Sequence, residues 1–247
     1  MTAVALPAPL FAKPSIIAEL RSRQPALAAF GIACLSLFVV AALLPLVDAR
    51  MLDGVSVWAK PAKFFLSVGV FSLTSAWFFG FVRPERRRTR PLLWSVRVLI
   101  GANVYELGYI VFQAAQGQQS HFNTGDPLHH ALYALMGLGA VALILTKLPL
   151  AIEIARRPAA GLDPDLRFAV VLGLAMTMAL GGLAGVYMGA QTGHSVGAVG
   201  GAAPLFGWNR LGGDLRVAHF LGMHAEQILP ATGWLLAGVG APWRRRL

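Results

Sequence analysis

Long apolar stretches of about 20 residues, separated by short polar or charged runs, set the pattern of this 247-residue chain. They cover about 27–47, 61–82, 92–116, 128–149, 168–190 and 217–239. The hydrocarbon core of a bilayer takes about 20 helical residues to cross. Backbone groups in lipid must be paired within their own segment, so runs this long predict helices. A transmembrane barrel would show short alternating segments instead. The expectation is an all-α polytopic membrane bundle of six transmembrane helices.

The breaks carry the usual punctuation. Residues 83–91 (RPERRRTRP) form a charged stop, and Pro158, Asp163 and Pro164 mark the loop after the fourth run. Asp126-Pro127 reads as an N-cap followed by proline at the first helical position. Gly212-Gly213-Asp214 suggests a similar start before the sixth run. Gly181, Gly185 and Gly189 recur every fourth residue, which predicts close helix packing rather than a phosphate loop.

Composition agrees with the pattern. The chain is 56% hydrophobic and 13% charged, with mean hydropathy +0.63, against about 25% charged in soluble domains. The charges are also lopsided. With the N-terminus inside, 16 of the 21 Lys and Arg fall on inner segments. The other five, Arg50, Lys60, Lys63, Arg210 and Arg216, fall outside. Cytoplasmic loops are enriched in Lys and Arg, so the expected topology is N-in and C-in. The net charge of +10 then reflects basic loops beside anionic lipid headgroups. Nucleic acid is a poor partner for arginines divided among short loops. The apolar run behind Lys13, Arg21 and Arg23 is too long for a cleaved signal and reads as an anchor. Residues 1–26 are expected to form a cytoplasmic segment. Residues 27–247 then form one six-helix domain with a long outer loop at 191–215. Cys34 stands alone inside the first run, which predicts buried packing.

All six histidines, His121, His129, His130, His194, His219 and His224, fall on the outer side of this topology. The chemistry is therefore expected there. In the third run Glu106, Tyr109 and Gln113 share a stripe, and in the sixth Arg216, His219 and Glu226 share a face with Gln227 beside it. A carboxylate at the centre of a membrane helix costs at least about 2.5 kcal/mol, so such residues are paired or functional. The bland alternatives are protonated packing groups for Glu106 and Glu226, and snorkelling for Lys60 and Lys63. The sharper ones are an ion pair between Lys63 and Glu106, and a pocket shared by the third and sixth runs.

The segments WAKPAKFFLS (58–67), SHFN (120–123) and GDLRVAHFLGMHAEQILP (213–230) resemble a group of uncharacterised bacterial multi-pass inner-membrane proteins. That resemblance implies the architecture and a bacterial inner-membrane location, with no activity attached.

Motifs for zinc proteases and thiol redox are absent, since the chain holds no HExxH or CxxC, and the isolated His129-His130 falls short of the several histidine boxes of a di-iron hydroxylase. The expected site is an outward-facing pocket. Glu106 and Glu226 are the proton groups. His130 and His224 are candidate haem ligands, and His121 and His219 candidate ligands of a transition metal. Lys63, Tyr109, Gln113, Asn123, Arg216 and Gln227 complete it. A haem- or metal-binding redox or enzymatic protein is the first functional reading. The alternatives are a small proton-coupled transporter, or an accessory subunit joined to a membrane partner or to a second copy of itself.

Overall fold

The computed structural model describes residues 15–203 and 206–238 and is mostly helical. Lys13, three of the N-terminal prolines and the arginines at 244–246 lie outside those residues. A short helix α1 (Ile16–Arg23) leads into α2 (Pro25–Leu43). There follow α3 (Ala59–Phe78), α4 (Arg90–Ala115), α5 (Pro127–Leu145) and α6 (Lys147–Arg156). The chain continues through α7 (Pro164–Met176), α8 (Gly182–Gly189), α9 (Leu215–Met223) and α10 (Ala225–Gly238). Asp126 and Asp163 cap α5 and α7 through their carboxylates, each with proline at the first position. Asp214 caps α9 in the same way.

Five helical stretches are long and apolar enough to cross a membrane: Pro25–Leu46, Ala59–Phe81, Arg90–Ala115, Pro127–Arg156 and Pro164–Gly189. Their outward faces carry Leu37, Val104, Phe112, Leu138, Phe168 and Leu183, all exposed. Apolar surface on this scale is a liability in water and the normal condition in lipid. The sixth run is not one helix. It is interrupted at His224, leaving pieces of 9 and 14 residues.

That interruption is one of three. Helix α5 gives way to α6 at Thr146, and Pro149 explains it: proline has no N–H for the carbonyl four residues back, at Leu145. Between α7 and α8 the backbone loosens into a π-helical turn, Thr177–Gly181. Such turns are uncommon and often mark functional sites. In α10, Pro230 likewise deprives the Glu226 carbonyl of a partner.

The bundle has two distinct ends. At one, Arg23 donates to the Trp77 carbonyl at 2.8 Å and lies over its ring, and Arg86 bridges to Glu153. At the other, Arg50 donates to the Ala115 carbonyl and Gln119 to Asp53. A small hairpin of β1 (Met51–Leu52) and β2 (Val55–Ser56) lies there. So does a ribbon of β3 (Ser195–Val196) and β4 (Gly213–Asp214), which closes the base of the long loop. Between the ends, Gly31 and Gly69 let α2 and α3 approach closely: a methyl on either would press on a leucine of the other helix at under 3 Å. Cys34 is buried there, as expected.

Candidate functional site

Helices α7–α8 and α9–α10 pack through a small-residue stripe: Gly173, Thr177, Gly181 and Gly185. A methyl on Gly222 would fall 2.3 Å from the Gly181 nitrogen, and one on Gly173 would meet Glu226 Cα at 3.0 Å. The glycine repeat thus serves helix packing at Gly181 and Gly185, while Gly189 faces open space near the Tyr133 hydroxyl. Polar bonds cross the same seam. His219 Nδ1 lies 2.9 Å from the Gly181 carbonyl oxygen, to which it donates. The Glu226 amide donates to Thr177 Oγ1, whose hydroxyl reaches the Met223 carbonyl. Both interrupted helices therefore satisfy their loosened backbones against each other.

Just past this seam lies a buried ion pair. Lys147 Nζ donates to Glu226 Oε1 at 3.0 Å and to Ser75 Oγ at 2.7 Å, and stands 3.5 Å from the centre of the Phe71 ring. The two side chains are 1% and 0% exposed. The ammonium's three protons thus face a carboxylate, a hydroxyl and a ring. The carboxylate is less well served: Oε2 has no hydrogen-bond partner, and neither has the neighbouring Gln227 Oε1. Gln227 Nε2 reaches back to Glu226 Oε1 at 3.5 Å, and His224 lies beside Gln227 and against Phe220.

This arrangement corrects two expectations. The sixth run packs chiefly on the fifth, and Glu226 finds its partner in Lys147 rather than in a pocket shared with Glu106. Lys147 itself is no loop cation, since the Thr146 break turns it into the bundle. Its position inside an apolar run was the available signal.

The second polar cluster lies at the histidine end. Lys60, in the first turn of α3, contacts His121 Nδ1 at 3.1 Å. Ser120 Oγ reaches the same nitrogen at 3.2 Å. With Nδ1 accepting from an ammonium, the ring carries its proton on Nε2. Phe64 and Tyr133 flank the ring. Phe122 sits at φ 58°, a conformation sparsely populated for a bulky residue, and packs on Tyr133. His121 is thereby turned inward. Burial, and then the Lys60 charge, push its pKa down to about 3, so the ring is neutral.

Glu106 is electrostatically coupled to Lys60 and makes no hydrogen bond or ion pair among the described residues. The expected Lys63–Glu106 pair is not formed. Lys63 is exposed on α3, while Lys60 is partly buried and reaches His121. Tyr109 stacks on Tyr105 and accepts from Gln113 Nε2 at 3.2 Å, and Gln113, fully buried, also holds the Gln119 carbonyl. Asn123 donates to that carbonyl and lines an open groove of about 390 Å³ with Gln118, Gln119 and Asp126. Arg216 clamps Asp214 through two bonds, at 2.9 and 2.6 Å, and reaches the Gly207 carbonyl, so it braces the long loop. Above it Phe206 and Trp208 stack on each other and meet Phe220.

Among the described residues the candidate metal ligands His121 and His219 gain no third ligand, and no three His, Cys, Asp or Glu side chains form a ligand set. His121 has its Nδ1 engaged by a lysine, and a protonated Nε2 is no ligand. His130 is exposed, while its neighbour His129 bonds Asp126. His224 packs on Phe220.

An apolar-faced bundle of long helices with buried charge inside defines the class: a multi-pass integral membrane protein. No family of known proteins, no curated protein and no solved structure matches the chain.

Proposed function

We propose that this protein is a small proton-coupled carrier of a bacterial inner membrane, with six crossings and both termini inside. One observation carries the reading: a fully buried Lys147–Glu226 pair sits where three helical runs are interrupted. Carriers commonly place coupling groups beside discontinuous helices near the bilayer centre. An intramembrane carboxylate with one oxygen unpartnered has room to take a proton. Protonation of Glu226 would release Lys147, and that exchange supplies two states for alternating access.

The sixth crossing is formed by α9 and α10 together. The basic end, with Arg83, Arg86, Arg87 and Arg88, faces inward beside anionic lipid. The histidine end faces outward, so its cluster meets the periplasm. The seam between α7–α8 and α9–α10 links the two polar sites.

The test is proton movement in liposomes carrying the purified protein and a trapped pH dye. The panel spans organic acids, amino acids, sugars and phosphate. At least one member should drive proton flux above protein-free liposomes, and Glu226→Gln should abolish it while the protein still inserts. A panel without any driven flux sinks the carrier reading and leaves the accessory subunit.

A further inference from the structure

We propose that Lys60, His121 and Glu106 form a binding site for a small oxyanion, a carboxylate or phosphate, entering from the histidine end. The proposal rests on the reading that this end faces outward, and it names the class of substrate that the carrier takes there.

Unused hydrogen-bonding capacity is the first argument. Among the described residues Lys60 Nζ has a single hydrogen bond, to His121, which leaves two N–H groups free. His121 Nε2, which must carry the ring proton, has no partner among the described residues. Two adjacent donors, one charged and one neutral, match the two oxygens of a carboxylate or phosphate.

Charge is the second argument. The cations acting on Lys60 are Lys63 and Arg216, and the one carboxylate acting on it is Glu106. Arg216 and Asp214 cancel each other through their clamp. That leaves Lys60 and Lys63 against Glu106, an excess of positive charge that an incoming anion offsets. Glu106 stands without a hydrogen bond, ready to accept from a hydroxyl or amino group on the same ligand.

Access and positioning are the third. The open groove at this end is lined by Phe122 and Asn123 and so reaches the residue next to His121, while Lys60, His121 and Glu106 lie behind its wall. The strained Phe122 backbone and the flanking Phe64 and Tyr133 rings fix the imidazole, so binding needs no rearrangement of it. Simple snorkelling of Lys60 would leave its ammonium in water. It is instead bonded to His121 and partly buried.

The experiment is thermal stabilisation and calorimetric binding with the detergent-purified full chain, using L-lactate, inorganic phosphate and phosphatidylglycerol. Lactamide, the neutral analogue of lactate, is the control. Lactate or phosphate should bind and lactamide should not, and Lys60→Gln should weaken binding at least tenfold. Binding of phosphatidylglycerol alone would assign the oxyanion to a lipid headgroup. Lys60→Arg, which keeps the charge, is the control for folding and should retain most of the affinity. No binding by any oxyanion, an equal response to lactamide, or full affinity in Lys60→Gln overturns the site. Binding needs no transport, so oxyanion binding without proton flux would keep the site and remove the carrier. Flux driven only by a neutral solute would do the reverse.

Discussion

Lys147 shows how much one buried charge demands of its surroundings. Its ammonium is 1% exposed and has all three protons engaged, by Glu226, Ser75 and Phe71. Removing one partner of a buried pair leaves an uncompensated charge and costs about 3–5 kcal/mol. Replacing both with apolar groups is often neutral. Lys147→Met alone and Glu226→Leu alone should therefore lower thermal stability markedly, and the double variant should recover most of it. If the pair also couples protons, the recovered double variant should still be inactive in the flux assay. A double variant no more stable than its parents would show that the pair holds the bundle by more than charge balance.

Glu226 stood out as a carboxylate in an apolar run, and its need for a partner followed from the cost of burying charge. Which residue answered could not be read: Lys147 is 79 positions away, on a helix whose break at Thr146 depends on a proline three residues on. His121 was likewise visible as a candidate, but as a metal ligand. Only the approach of Lys60 to Nδ1 reassigned it as a donor.

Between elements, packing rests on glycine. In lipid there is little hydrophobic drive between helices, and close contact of small residues supplies the association instead. Gly222 backs onto Gly181 so closely that a methyl would meet backbone at 2.3 Å, whereas Gly137 has nothing within 4 Å. Gly222→Ala should therefore destabilise the bundle by about 1–3 kcal/mol. Gly137→Ala, in an exposed turn of α5, should be neutral or slightly stabilising because alanine is the better helix former. Thermal unfolding in detergent distinguishes them, and equal midpoints would mean the α8–α9 seam is looser than described. The glycine repeat was legible as spacing. Its extension to Gly173 and Thr177, and its partner across the seam, were not.

For the whole molecule, the charge asymmetry and the two ends of the bundle make one prediction. A reporter active only in the periplasm should work when fused after Gln119 or Ala198. It should be silent after Arg87, after Gly161 and at the C-terminus. Activity at Arg87 would invert the bundle and turn the Lys60–His121 cluster toward the cytoplasm.

Run length and polarity along the chain were sufficient to mark a helical membrane protein and five of its apolar helical stretches, because crossing lipid is a local requirement on about 20 consecutive residues. They also marked Glu106, Glu226 and His121 as costly and therefore meaningful. Partnership was decided only in three dimensions. The breaks at Thr146, three residues before Pro149, and at His224 interrupt helices that hydropathy draws as continuous; the first turns Lys147 toward Glu226 and the second leaves the sixth run in two pieces. Electrostatic pairing depends on distance and direction between helices, and no spacing along one helix encodes either.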